Sequence, residues 1–144
     1  IDSISSIKLP YIGHSIYRVL VRHPQQPIVI YCCHLTSNLL MLSSDKWGGL
    51  KEGYRNRTLE ADAIYEALQH ESYPVIVMGD MNDISGSYTL RRIESVGTLR
   101  HGSAGLTDAW WKGCFGYGTT YHDHGLRLRL DQSSMTKTAS LCRT

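Results

Sequence analysis

The chain has 144 residues, with 15 basic and 13 acidic side chains and a formal charge of +2. That length allows one domain with a real core, and apolar and charged fractions of 42% and 19% exclude a disordered chain. Near-neutral charge gives no case for a strongly basic nucleic-acid surface, and no apolar stretch approaches the roughly 18 to 20 residues that span a bilayer.

Ile16 to Val21 is a short β-branched and apolar run, and Pro27 to Leu35 is a second, nearly continuous one. They read as strands joined by a hairpin through Arg22 to Gln26, the second buried on both faces. Thr36 to Gly53 contains Ser, Asp and a Gly-Gly pair and reads as a long loop. Tyr54 to Glu71 is the clearest helix: Ala61, Ile64, Ala67 and Leu68 form an apolar face, leaving Arg55, Glu60, Glu66 and Gln69 for solvent. Pro74 ends it and opens the strand Val75–Met78. Ser87 is a candidate N-cap for a helix from Tyr88 to Val96, stopped by Gly97. Leu126, Leu128 and Leu130 alternate with Arg127, Arg129 and Asp131, the pattern of a half-buried strand. From Gln132 onward the sequence is polar and patternless. Helix followed by buried strand is the rhythm of a layered α/β fold. No signal peptide is visible, and because residue 1 is not Met an upstream segment is expected, so the compartment is not bounded.

The cysteines are Cys32, Cys33, Cys114 and Cys142. Cys32 and Cys33 would point to opposite faces of a strand, which fits free thiols better than a disulfide framework. No C-x-x-C pair supports structural zinc.

Four clusters carry candidate chemistry: His34 in His-Leu-Thr-Ser-Asn, Gly79-Asp80-Met81-Asn82-Asp83, Leu106-Thr-Asp-Ala-Trp110, and Arg129-Leu-Asp131. His34 and Asp80 stand where buried strands run out, which is where layered α/β folds place ligands and catalytic groups. On an extended segment Asp80 and Asn82 point to one side. The carboxylate can bind a hard cation or orient a water, while the carboxamide donates to a phosphate oxygen and its carbonyl accepts or ligates. His34, with an ordinary pKa near neutrality, can move a proton or contact phosphate. These are parts for metal-assisted attack of water on a phosphoester.

Each part has a plainer reading. Asp80-Met81-Asn82 can be only an Asx turn, His34 a core histidine, and Asp131 beside Arg129 a surface ion-pair arrangement. Asp108 is more often a turn or capping residue. His122-Asp123-His124 has alternating metal ligands but no third by spacing. Trp110, Trp111 and Tyr117 can stack on bases, though packing is the commoner use. Arg91, Arg92, Arg127 and Arg129 can touch phosphates, with a solvated basic face as the default. Asn56-Arg-Thr58 is a glycosylation acceptor in form only, on a predicted helix.

The ordered set His34-Leu-Thr-Ser-Asn38, Arg57 with Glu60-Ala61, Pro74 to Asp83, Leu106 to Trp110, Gly118-Thr-Thr-Tyr121 and Arg129-Leu-Asp131 resembles the endonuclease/exonuclease/phosphatase superfamily, over about Ser15 to Asp131. The resemblance implies the C-terminal part of a four-layer α/β sandwich of the deoxyribonuclease I type, with mixed sheets flanked by helices, and divalent-metal phosphoester hydrolysis. It implies that His34 contacts the scissile phosphate, that Asp80 and Asn82 position water, phosphate and a Mg²⁺ or Mn²⁺ ion, and that Asp131 orients a second histidine. That histidine belongs to a Ser-Asp-His segment after one more apolar strand. Here the last histidine is His124, and Gln132 to Thr144 has neither that strand nor any Asp or Glu. The family's early Asn and metal-binding Glu would precede Ile1.

The expectation is one partial domain over residues 1–144, whose exposed apolar sheet favours association. It would act on a phosphoester of nucleic acid, nucleotide, lipid head group or sugar phosphate. The alternative is a non-catalytic phosphate- or partner-binding remnant of the fold.

Overall fold

The computed structural model describes residues 1–9, 15–37, 46–96, 105–113, 118–123 and 126–135. Asn38, Gly97, Cys114, Tyr117, His124, Cys142 and most of the predicted loop before Lys46 lie outside them. The strands are β1 (Ser3–Lys8), β2 (Ser15–Val21), β3 (Ile28–His34), β4 (Val75–Asp80), β5 (Thr107–Asp108), β6 (Tyr121–Asp123), β7 (Leu126–Leu128) and β8 (Asp131–Met135). The helices are α1 (Lys46–Gln69), α2 (Tyr88–Glu94) and α3 (Ala109–Gly113). Six strands form one mixed sheet in the order β1-β2-β3-β4-β8-β5, and β6 and β7 form a separate hairpin.

The β2–β3 hairpin forms as the sequence predicts, with Tyr17 opposite Cys32 and Val21 opposite Ile28. β3 and β4 are parallel, from Val29 beside Val75 to His34 beside Asp80. A parallel pair needs a long crossover, and α1 lies within it. One sheet face carries Val29, Tyr31, Cys33, Val75 and Val77, which join Ala61, Ile64 and Leu68 of α1 and Leu90 and Ile93 of α2 in the core. The other face exposes Ile4 (61%), Tyr17 (52%), Met78 (43%) and Cys32. Cys32 and Cys33 are free thiols on opposite faces, and burial pushes Cys33 up to about 12, so it stays protonated at neutral pH.

The structure corrects three local expectations. α1 begins eight residues before Tyr54 and includes Gly48, Gly49 and Gly53, which the sequence places in a loop. Glycine costs only about 1 kcal/mol relative to alanine in a helix, and a 24-residue helix anchored by Ala61, Ile64 and Leu68 tolerates it. Glu60, expected on the solvent side, is buried together with Arg57. β1, with the sequence SISSIK, pairs antiparallel with β2 at the sheet edge.

The third correction concerns the C-terminal stretch. The predicted strand from Leu126 to Asp131 stops at Leu128, and Asp131–Met135 then forms an interior strand between β4 and β5. Its alternation is polar: Gln132 and Ser134 face inward and are hydrogen-bonded, Gln132 Nε2 donating to Asp83 O (3.3 Å) and Ser134 Oγ to Glu94 Oε1 (3.3 Å). A hydrophobic periodicity cannot reveal such a strand. α2 matches its prediction in starting at Ser87, whose Oγ accepts from Leu90 N (3.3 Å). Among the described residues, no helix is long and apolar enough to cross a membrane.

Two predictions follow from the sheet. Gly79 adopts φ +137°, and a Cβ there would collide with the carbonyl of Cys33, its partner on β3. Gly79→Ala should therefore destabilise the fold by more than about 1 kcal/mol in urea unfolding, since both space and φ oppose it. The second concerns Glu71, which accepts from Arg18 Nη2 (3.0 Å) and from the Tyr31 hydroxyl (2.6 Å). The Arg18 hydrogen bond, ahead of burial acting the other way, holds its carboxyl below the usual range. A depressed folded pKa contributes stability above the unfolded pKa and loses it as pH falls through the folded one. Glu71→Gln should flatten the loss of stability below about pH 4.5, measured as urea midpoint against pH.

Candidate active site

β3 and β4 run side by side into turns, and β8 runs back along β4. The registers put His34 beside Asp80 and Asp80 beside Asp131. Register partners in a sheet share a face, so residues far apart in sequence form one lateral row, neighbouring backbones being about 5 Å apart. His34 and Asp131 are exposed and Asp80 between them is half-buried. The row lies on the face left uncovered by α1 and α2. Two further bonds continue the ladder at its end: Leu35 N donates to Asp80 O and Met81 N to Leu130 O, both at 3.0 Å.

Asn82 enters this site by a route different from the extended one expected. β4 ends at Asp80, Met81 is buried, and Asn82 has φ +48°. Asp80 Oδ1 accepts from Asn82 N (2.9 Å), which is an Asx turn, and asparagine tolerates the left-handed backbone it requires. The turn swings the Asn82 carboxamide toward β3, where Nδ2 donates to Leu35 O (2.8 Å), the carbonyl following His34. The Asx turn and the gathering of these side chains are thus one arrangement.

Buried polar groups brace both turns from behind. Glu60 accepts from Thr36 N (2.9 Å) and Thr36 Oγ1 (2.7 Å), and Arg57 Nη1 donates to Thr36 O (3.1 Å). Arg57 Nε also lies 3.5 Å from Asp83 Oδ2, so one turn of α1 touches the segments that follow both His34 and Asp80. On the other side, Arg129 is buried and forks onto Asp108, donating from Nη1 to Oδ1 (3.0 Å) and from Nη2 to Oδ2. Its Nη2 also donates to Ser85 Oγ (2.6 Å) and, more weakly, to Gln132 Oε1 (3.4 Å). Thr120 Oγ1 accepts from the backbone N–H of Leu130 and of Asp131, both at 3.1 Å.

Several sequence expectations resolve here. Arg129 is buried, not the solvated cation of the default reading. Asp108 is a capping residue as expected, accepting from Trp110 N (3.0 Å) at the start of α3, and also the partner of Arg129. The Arg129–Asp108 pairing, with Ser85 and Gln132, joins residues up to 44 positions apart and has no signature in local spacing. Trp111 is largely exposed, with the Arg129 guanidinium 5.9 Å from its ring centre. His122, on β6 of the separate two-stranded sheet, has its Nε2 3.2 Å from Thr119 Oγ1. Burial, ahead of the opposing Ser134 hydrogen bond, raises the Glu94 carboxyl above its usual range.

The donor set is of the right kind for a hard divalent cation: carboxylate oxygens of Asp80 and Asp131 and the carboxamide oxygen of Asn82. It is small. Among the described residues, no group of three or more His, Cys, Asp or Glu is gathered to hold a metal.

Residues 11–132 match the Endonuclease/Exonuclease/phosphatase family. The fold is similar to that of D. rerio TDP2 complexed with a single-strand DNA product, at 18% identity and TM-score 0.61, covering 95% of this chain and 54% of that one. It is similar also to the human Nocturnin catalytic domain with bound sulfate (16% identity, TM-score 0.58, 94% and 47% covered). A family protein from Leptotrichia buccalis gives 18% identity and TM-score 0.55, with 95% and 50% covered. The chain spans about half the length of the solved structures it matches. No curated protein sequence matches it. With the family pattern extending over residues 11–132 and the mixed sheet flanked by helices in place, the chain belongs to the Endonuclease/Exonuclease/phosphatase family.

Proposed function

We propose that this chain carries part of the active site of a Mg²⁺- or Mn²⁺-dependent phosphoesterase of the phosphodiesterase or nuclease type. The observation that carries the reading is the row His34–Asp80–Asp131, with Asn82 turned toward it, in a chain of this family. Asp80 and Asn82 would hold the cation, which when bound supplies charge to the phosphate and acidifies water. His34 contacts the scissile phosphate or transfers a proton, Asn82 donates to a phosphate oxygen, and Asp131 orients a second histidine. Neither that histidine nor the main carboxylate ligand is identified in this chain, which spans about half the length of the related folds.

The substrate is a phosphoester. The single-strand DNA product in D. rerio TDP2 supports a nucleic-acid phosphodiester as the first substrate to try, beside nucleotide, lipid head-group and sugar phosphates. The second reading is a non-catalytic phosphate- or partner-binding remnant of the same fold.

A Mn²⁺ titration followed by NMR separates them. Selective broadening at Asp80 and Asn82, removed by Asp80→Asn, is the expected outcome, whereas broadening confined to other sites would exclude this metal centre. Turnover of a phosphodiester by the chain alone should be weak and abolished by EDTA. Any measurable rate should fall about 10²- to 10⁴-fold in His34→Ala, the usual cost of losing a proton-transfer group. Metal-independent turnover would overturn the proposal.

A further inference from the structure

We infer that Arg129 is a positioning residue, whose buried fork onto Asp108, Ser85 and Gln132 fixes Asp131 against Asp80. The inference deepens the proposed function and rests on it only where metal binding is the readout.

Arg129 stands two residues before Asp131, in the short link between β7 and β8. Its guanidinium reaches three separate segments: Asp108 at the junction of β5 and α3, Ser85 in the turn after Asp83, and Gln132 on β8. Gln132 in turn donates to Asp83 O. Both arms converge on the segment that follows Asp80 and Asn82, and the chain of contacts starts beside Asp131. Between them, the Met81 N–H bond to Leu130 O closes the ladder next to the Asp80–Asp131 pair. A planar fork can satisfy this many acceptors in fixed directions, and an ammonium cannot.

A purely stabilising role is the weaker explanation. Replacing a buried ion pair by packed apolar groups is often neutral or stabilising, so such a pair is poor evidence of a need for stability. The geometry instead gives it a consequence at one place: it holds the β4 turn to the start of β8. The guanidinium's hydrogen bonds to Asp108, Ser85 and Gln132 all serve this tie.

The test uses Asp108→Leu with Arg129→Met, Arg129→Lys and Ser85→Ala in the full chain. Amide hydrogen exchange at Met81 is compared with that at Tyr31 in the middle of the sheet, and Mn²⁺ broadening at Asp80 and Asn82 is titrated. In the apolar double variant, Met81 exchange should quicken about ten-fold or more while Tyr31 stays close to wild type, since local opening is read separately from global unfolding. The Mn²⁺ midpoint should rise about 10- to 100-fold, the usual effect of removing a group that orients a ligand. Arg129→Lys should not rescue either readout.

A folded double variant with wild-type Met81 exchange and wild-type Mn²⁺ midpoint would overturn the inference. Were the double variant unable to fold, Ser85→Ala decides: Met81 exchange faster by about three-fold or more supports it, and unchanged exchange overturns it. If the wild-type chain binds no Mn²⁺ at Asp80, the metal reading fails by itself, and the exchange comparison still decides the role of Arg129.

Discussion

The parallel pairing of β3 with β4, held from Val29–Val75 to His34–Asp80, sets where every other group near the site can lie. Because the strands point the same way, their C-terminal ends finish level and the turns after His34 and Asp80 emerge together. Helix α1 lies in the connection between the strands, so its buried face is brought against the same sheet. That is why Arg57 and Glu60, a turn apart on α1, reach Thr36 and Asp83. Gly79 is where the two backbones come too close for a side chain. β8 then adds the third member of the row by pairing with the free edge of β4.

Much of this frame was legible in the residues. The apolar runs ending at His34 and Met78, the 3.6-residue face of Ala61, Ile64 and Leu68, and the Ser87 cap each have a local physical cause, and each appears where that cause puts it. The site was legible as ordered motifs but not as a mechanism of assembly. The extended i, i+2 geometry assigned to Asp80 and Asn82 gave way to an Asx turn, because the carboxylate captures a nearby N–H. β8 was invisible because its inward positions, Gln132 and Ser134, are satisfied by hydrogen bonds rather than apolar contact. Arg129 looked like a surface charge for the same reason: only the fold brings Asp108 and Ser85 to it.

The buried polar groups are unevenly placed. Arg57, Glu60, Asp108, Arg129 and Gln132 all connect to the segments flanking the row, while the centre of the core is made of Ile16, Val29, Ile64 and Val77. Charged groups in an interior incur desolvation of several kcal/mol each and recover it only with good geometry. Apolar side chains could fill the same volume at less cost, but they could not dictate the direction of a carbonyl or hydroxyl. The Thr36 N–H, C=O and hydroxyl are each engaged by α1, which specifies the chain path just past His34 in a way packing cannot.

The exposed side of the sheet bears on how strongly such a site can act. Charges about 5 Å apart interact by roughly 0.8 kcal/mol in bulk water and about 3 kcal/mol at an effective dielectric near 20. His34 and Asp131 stand exposed on a face that also shows Ile4, Tyr17 and Met78, so solvent screens interactions along the row. No adjustment of the turns would alter the interaction as much as covering the face. On the proposed reading, any group that kept water from the row would strengthen its hold on a cation. The positions of His34, Asp80 and Asp131 are set by the sheet; the strength of their interactions depends on how far water is kept from that face.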